Sequence, residues 1–265
     1  MRQVLIWFVL CLSAVPLWAD TSLSEKLVDV LKTPRLLEQL ALEAERSAED
    51  INRDFLNGDG GPVYADTVAR LNDPERVLPK IGATLAANMT PVQMEQVIAF
   101  YASPLGQNII QLELSARATI FDPSVDAAVR SHVAGEGVPD LVADMIVQGD
   151  LIERNVTDAL RVLQKFYRGR VAGGATDIAA GEVDAFVEQS RDSIRFETQL
   201  WLEAFMTLAY SPLSDEDLQT YADFWRTQAG QAFDRALFEA YALVFEENSF
   251  ALGQMVGRLG ASDEI

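Results

Sequence analysis

Apolar residues recur along the chain every three or four positions, which is the period of an α-helix and not of a strand. Runs of β-branched residues that would favour strands are absent. Between the apolar stripes, Ser, Thr or Asp repeatedly stands directly before Pro, a combination typical of helix starts. These steps are Thr33-Pro34, Asp73-Pro74, Thr90-Pro91, Ser103-Pro104, Asp122-Pro123 and Ser211-Pro212. The pattern predicts an all-α protein built as a multi-helix bundle.

Individual helices can be predicted from the same signals. The helix that Thr33 would cap extends to about Leu56, and Asn57-Gly58 ends it because both residues tolerate left-handed geometry. Pro79 should kink the helix that follows Asp73-Pro74 or delay its start. One long helix is predicted over residues 181–210, and its buried residues would include Phe186, Ile194, Trp201 and Phe205.

The first nineteen residues have the layout of a cleavable signal peptide. Arg2 precedes a mainly apolar run over residues 4–17, and Ala19 offers a small residue at the cut. A membrane span needs roughly 20 apolar residues, so an uncleaved anchor is the weaker interpretation. We expect residues 1–19 to direct export to the periplasm, or to the outside, of a Gram-negative bacterium.

The chain has a single cysteine, Cys11, and it lies inside this segment. A lipidated cysteine would follow small residues, whereas Val9 and Leu10 precede it. Cleavage would therefore leave a mature protein without thiol catalysis, disulfides or thiolate metal sites. Its stability would come from a packed core.

The charge balance narrows the possible partners. Forty acidic residues outweigh twenty-one basic ones, giving a net charge of −19, so the surface would repel nucleic acid and anionic lipid. No second apolar stretch approaches spanning length, and we expect no stable membrane insertion after signal cleavage. A protein partner in the cell envelope, or a cationic partner, is compatible with this charge.

The chain contains an internal self-match. Residues 89–121 align without gaps with residues 213–245. The identical pairs are Phe100/Phe224, Gly106/Gly230, Gln107/Gln231, Ala116/Ala240, Ala118/Ala242 and Phe121/Phe245. We predict a first helical unit over residues 20–134, a linker over 135–139 and a second unit over 140–265.

Each matched segment predicts a helix, a corner and a second helix. Ser103 or Thr227 would cap the second helix, and a glycine in its first turn indicates close approach of the backbone. The aromatic residues of the corner are interpreted as core, and the alternative is that they line a ligand groove. This structural corner motif comprises Phe100, Tyr101, Ser103, Pro104, Gly106, Phe224, Trp225, Thr227 and Gly230.

The first corner, residues 100–107 (FYASPLGQ), resembles the signature of the bacterial family called domain of unknown function 2059. The second, residues 224–231 (FWRTQAGQ), keeps the aromatic pair, the cap and Gly-Gln but lacks the proline. The resemblance implies two divergent copies of an exported, helical unit. It implies no activity, because the family has none assigned.

No residue set predicts a catalytic, cofactor or metal site. His132 is the only histidine, and a zinc site would need more such ligands. Residues 57–60 resemble part of a calcium loop, but the register of the carboxylates fails, so a turn is expected. The acidic run 215–217 fits a helix start, and Glu246-Glu247 fits a solvated surface. Gly253 and Gly257 either allow close approach of two helices or belong to an ordinary end helix.

Three functions remain open at this point. The first is a non-enzymatic interaction or scaffold module of the envelope. The second is a carrier or sensor of a small apolar or cationic ligand held between the two units. The third is a hydrolase that uses two carboxylates facing each other in a cleft, at least one with a shifted pKa.

Overall fold

The computed structural model describes residues 17–262, and it describes the side chains of residues 23–261. Across this range the chain forms helices and no strands, which confirms the all-α prediction. The first helices are α1 (Leu17–Val30), α2 (Thr33–Leu56), α3 (Gly61–Leu71), α4 (Pro74–Asn88), α5 (Pro91–Tyr101), α6 (Pro104–Ile120) and α7 (Pro123–Glu136). The remaining helices are α8 (Asp140–Gln148), α9 (Leu151–Gly173), α10 (Val183–Glu188), α11 (Arg191–Tyr210), α12 (Asp215–Arg226) and α13 (Gln228–Ser262).

Side-chain caps set most of the predicted helix starts. Asp73 caps α4, and Thr90 and Gln93 form the expected capping box at α5. Ser103 Oγ accepts a hydrogen bond from the Gly106 amide at 3.1 Å. The expected Thr33 cap is wrong: Lys32, with a φ of 52°, directly precedes α2, and Thr33 is a buried first helical residue. The short turn from α1 into α2 needs a left-handed residue there, which a threonine cap would not supply.

Two further predictions concern helix continuity. Helix α4 begins at Pro74 and continues through Pro79 to Asn88, so Pro79 does not delay its start. The single helix predicted over 181–210 is instead divided into α10 and α11. Val183 and Val187 take the buried face of α10 against α9, which leaves Phe186 42% exposed and not in the core.

Helix α13 is the longest element that the structure describes. Its 35 residues span about 52 Å at the rise of an α-helix, and it packs against α9, α4 and α5. The main core is continuous across both predicted units, joining side chains such as Leu27, Ile81 and Met94 with Tyr221 and Phe233. The two units therefore do not have separate cores.

Four glycines bring α9 and α13 into backbone contact. A Cβ atom at Gly169 would lie 2.2 Å from the carbonyl oxygen of Phe250, and one at Gly253 would lie 2.0 Å from that of Phe166. Gly173 and Gly257 make equally close contacts one turn further along. Helix α13 thus approaches α9 at Gly253 and Gly257, which agrees with the interpretation that this pair allows close approach of two helices.

Most of the predicted signal, residues 1–16, lies outside the described part of the chain. The expected cut after Ala19 falls near the beginning of α1. Residues 137–139 separate α7 from α8, at the place of the predicted linker. None of the described helices combines the length and the apolarity that crossing a membrane requires.

Candidate functional site

A cavity of about 590 Å³ lies between the two predicted units. Helix α6, with residues of α2 and α5, lines it on the side of the first unit, and residues of α8, α9, α11, α12 and α13 line it from the second unit. Most of the lining is aliphatic or aromatic, which makes it a suitable environment for an apolar molecule. Cavities of this size hold ligands as large as typical drugs.

The cavity is lined by matching positions of the two aligned segments. When a residue of α6 or its preceding corner lines the cavity, its counterpart in the second segment often lines it too. These pairs are Tyr101/Trp225, Ile110/Asp234, Glu113/Leu237, Leu114/Phe238 and Arg117/Tyr241. The cavity is thus lined by corresponding surfaces of both segments.

Glu113 is the most unusual residue of this lining. It lies on α6 and is half-buried, with its side chain facing the cavity. Its Oε1 atom accepts hydrogen bonds from the hydroxyls of Tyr210 at 2.8 Å and Tyr221 at 3.0 Å. Burial raises the pKa of Glu113, and the two tyrosine hydrogen bonds oppose that rise only in part. An acidic group is therefore held in an apolar enclosure by neutral donors.

A third tyrosine extends this network. The hydroxyls of Tyr101 and Tyr221 lie 3.4 Å apart, and since Tyr221 donates its proton to Glu113, Tyr101 donates to Tyr221. Burial raises the pKa of Tyr101, Tyr210 and Tyr221, and the nearby Glu113 charge raises it further. These hydroxyls stay protonated at neutral pH and remain donors.

The basic side chains of the cavity wall all have acidic partners other than Glu113. Arg117 makes two hydrogen bonds of 2.8 Å to Glu43, and Arg226 binds Asp223 at 2.7 Å. Arg154 forms an ion pair with Asp234, which also lines the cavity. Among the described residues, Glu113 makes no ion pair. Glu113 is therefore the one acidic or basic side chain of this wall that has no oppositely charged partner.

A second cavity, of about 650 Å³, adjoins the first. The two share several wall residues, so only side chains separate them: Leu36, Arg117, Asn155, Trp201, Leu237, Phe238 and Tyr241. The second cavity continues between α2, α9 and α13 and is also mainly apolar. Glu113 lines the first cavity and not the second.

The residues of the predicted corner motif occupy structural positions, and two of them also reach the cavity. Phe100 and Phe224 stack on each other, with ring centroids 3.9 Å apart and planes 7° from parallel. Thr227 Oγ1 accepts a hydrogen bond from the Gly230 amide at 3.0 Å, as Ser103 does for Gly106. Pro104 occupies the first position of α6. Tyr101 and Trp225 line the first cavity, as the ligand-groove alternative supposed.

The other residues considered from the sequence lie away from this site. His132 is exposed on α7. Residues 215–217 form the first turn of α12, where Ser214 accepts a hydrogen bond from the Asp217 amide. Glu246 and Glu247 pair with Lys165 and Lys80. Within residues 23–261, no group of three or more histidine, cysteine, aspartate or glutamate side chains is placed to hold a metal ion.

Sequence reasoning did not identify Glu113 as a site residue. The sequence did contain an indication of it. Glu113 follows Ile109 by four positions and precedes Ala116 by three, so helical spacing places this acid beside the apolar stripe of α6. Its importance depends on the tyrosines of α11 and α12, which are about a hundred positions away in the sequence. Only the folded chain brings them together.

Comparison with known proteins adds one match. Residues 75–133 match a bacterial protein family. The family is described as "Uncharacterized protein conserved in bacteria (DUF2059)". The DUF2059 match runs from α4 into α7 and includes the first corner, so the resemblance of that corner is confirmed. No curated protein and no solved structure matches the chain.

The buried carboxyl gives a testable pH dependence. Because folding raises the pKa of Glu113 above its ordinary value of 4.5, its stabilising contribution is complete below that value and is lost as pH rises through the folded pKa. Glu113→Gln keeps an acceptor for the tyrosines and removes the charge. We expect the ligand-free variant to exceed the wild type by about 1 kcal/mol at pH 7 and to equal it at about pH 4.

Thermal unfolding followed by circular dichroism at both pH values measures this difference, with a melting-temperature rise of roughly 3 °C at pH 7. Glu95→Gln, on the exposed face of α5, removes the same charge and serves as the matched control. A Glu113→Gln variant that is less stable than the wild type at pH 7 would contradict the prediction.

Proposed function

We propose that this protein is a non-enzymatic carrier or sensor that binds a small, mainly apolar ligand between its two helical units. The observation that carries the proposal is the cavity of about 590 Å³ in which Glu113 is the one acidic or basic side chain without an oppositely charged partner. Largely apolar cavities with a few placed polar groups are the usual form of small-molecule sites. An interaction or scaffold module of the envelope, the first hypothesis from the sequence, would need no such cavity.

The matching positions in the lining support the same proposal. In the proposed arrangement, the two units are divergent copies of one DUF2059-like module, and their association creates the cavity. The stacking of Phe100 on Phe224 supports this relation, because a two-fold arrangement of copies places equivalent residues against each other. Ligand binding would then be a property of the pair of units and not of either one alone.

Export is part of the proposal. The layout of residues 1–19 supports a signal peptide that delivers the carrier to the periplasm of a Gram-negative cell, where the mature chain begins at Asp20. Fractionation of expressing cells followed by N-terminal sequencing of the purified protein tests this. Recovery of the chain from the cytoplasm with Met1 still present would rule the export proposal out.

Binding can be measured with the neutral fluorophore phenylnaphthylamine, whose emission rises in apolar surroundings. We expect saturable binding of one molecule per chain. Ala222→Met places a larger side chain in the cavity wall and should weaken binding about tenfold, equivalent to about 1.4 kcal/mol. Thr220→Met, on the exposed face of the same helix, is the matched control and should bind normally.

Circular dichroism melts of both variants verify that they fold. If the wild type shows no saturable fluorophore binding, the proposal fails. It also fails if Thr220→Met and Ala222→Met weaken binding equally, since the fluorophore would then sit on the surface.

A carboxylate-dependent hydrolase is the second candidate. Glu113 and Asp234 both line the first cavity, and burial raises the pKa of each. Shifted acids in a shared cavity are a known arrangement for acid–base catalysis. Turnover of ester or glycoside substrates that is lost in Glu113→Gln and in Asp234→Asn would favour this candidate over the carrier.

A further inference from the structure

The chemical class of the ligand can be inferred from Glu113, which has no cationic partner in the wall, and from the second apolar cavity that adjoins the first. We propose that the protein binds a single-chain amphiphile with a cationic nitrogen, an alkylammonium ion, with the nitrogen beside Glu113 and the alkyl chain directed toward the second cavity. This inference rests on the proposed carrier function and gives it a ligand.

The head-group assignment follows from the charges of the wall. Three arginines line the first cavity, and each is bonded to an acid other than Glu113. Glu113 receives two neutral hydrogen bonds on Oε1, and within the described residues Oε2 has no hydrogen-bond donor. A buried carboxylate without a cation is costly, and an ammonium group from the ligand would compensate it. Electrostatic complementarity therefore favours a cation at this position.

Aromatic rings around Glu113 support the same choice. Tyr210 and Tyr221 meet edge to face with centroids 5.7 Å apart, and Tyr221 meets Trp225 at 5.9 Å. Tyr101 and Phe233 also belong to this group and line the cavity. The faces of aromatic rings attract cations, and a carboxylate among several rings is a common way to hold an organic ammonium ion. The same rings would pack against the first methylene groups.

The direction of the tail follows from the second cavity. Most of its polar side chains are already bonded within the protein: Asn155 donates to the Leu151 carbonyl, Ser249 to that of Val162 and Asn248 to that of Leu71. The acid of this wall, Asp158, pairs with Arg161. The remaining wall is mainly aliphatic and aromatic. A polar ligand end would find few free partners there, whereas an alkyl chain needs none. Trp201, Leu237 and Tyr241 belong to the walls of both cavities, so the second cavity is the apolar space that adjoins the first.

The test compares ligands with one chain and different heads. Competition titrations measure how well each ligand displaces phenylnaphthylamine at concentrations below its micelle concentration. The four ligands are dodecylammonium, dodecyltrimethylammonium, dodecanol and dodecanoate. We expect both ammonium ions to bind at least about 30-fold more tightly than dodecanol, and dodecanoate to bind most weakly. In Glu113→Gln the affinities for the ammonium ions should fall to that for dodecanol, whereas Glu95→Gln should leave the preference intact.

Chain length tests the position of the tail. From hexylammonium to tetradecylammonium, affinity should rise about fourfold per methylene while the chain enters apolar space. Ala44 lines the second cavity and not the first, so Ala44→Met narrows the second cavity alone. The affinity for tetradecylammonium should fall at least tenfold, whereas the affinity for hexylammonium should change much less. Equal losses for both lengths would overturn the assignment of the tail to the second cavity.

The outcomes separate this inference from the carrier function. If the fluorophore binds saturably but dodecanol matches the ammonium ions in the wild type and in Glu113→Gln, the cationic head is wrong and the carrier stands. Tightest binding of dodecanoate, unchanged by Glu113→Gln, would likewise overturn the cationic head and place an anion at the arginines. If neither the fluorophore nor any amphiphile binds, both proposals fall.

Discussion

Replacement of Gly253 by alanine should lower the free energy of unfolding by about 3 kcal/mol. The added Cβ would lie 2.0 Å from the carbonyl oxygen of Phe166, and that oxygen belongs to the backbone of α9. A flexible side chain could turn aside, but here one whole helix must move away from the other. Because Gly169, Gly173 and Gly257 lie in the same contact, the displacement would loosen packing along several turns.

Gly260 in the same helix provides the matched control. No atom lies within 4 Å of a Cβ built there, so alanine gains helix propensity without a clash. Gly260→Ala should be neutral or more stable by up to about 1 kcal/mol. Urea unfolding monitored by circular dichroism measures both variants. Equal stability of Gly253→Ala and Gly260→Ala would show that α9 and α13 do not meet at these glycines.

The corner glycines should be nearly as sensitive. A Cβ at Gly106 would lie 2.3 Å from the Phe100 carbonyl oxygen, and one at Gly230 would lie 2.2 Å from that of Phe224. In both corners the obstacle is the backbone of the preceding helix, so relief requires the corner to open. We expect Gly106→Ala and Gly230→Ala each to lower the free energy of unfolding by about 2 to 3 kcal/mol.

Thermal melts test the two corners side by side, since each 1 kcal/mol corresponds to roughly 2–4 °C for a chain of this size. Gly135→Ala in α7 is the control, because nothing lies within 4 Å of its Cβ. Similar losses at Gly106 and Gly230 are the expected result. A loss at one and tolerance at the other would contradict the structural equivalence of the two corners, and with it a main support for the internal repeat.

Helix starts were predictable wherever the determining contact is local. The Thr90–Gln93 capping box and the Ser103 cap join residues three positions apart, so their partners can be identified in the sequence itself. The start of α2 was missed in detail because a tight turn with left-handed Lys32 replaces the threonine cap. The close approach at Gly106 was also predictable, because glycine is a poor helix former and its place in a first helical turn indicates that a side chain would not fit there.

Features that depend on tertiary packing were not predictable. Nothing in residues 181–210 marks the division between α10 and α11, which follows from how Val183 and Val187 dock on α9. Phe186 fits an apolar stripe, yet in the fold it packs edge to face on Tyr167 at 4.8 Å and remains partly exposed. The candidate site depends on tertiary packing most of all, because Glu113 obtains its hydrogen bonds from two helices of the other unit.

The difference between Glu113 and its counterpart Leu237 gives the cavity a direction. Two identical copies facing each other would offer a ligand two equivalent orientations. Here Glu113 lines the cavity at a position where the other segment has Leu237, and Asp234 lines it where the first segment has Ile110. An asymmetric molecule therefore meets different side chains in its two orientations. For the proposed carrier, this divergence between matching positions would favour one orientation of the ligand over the other.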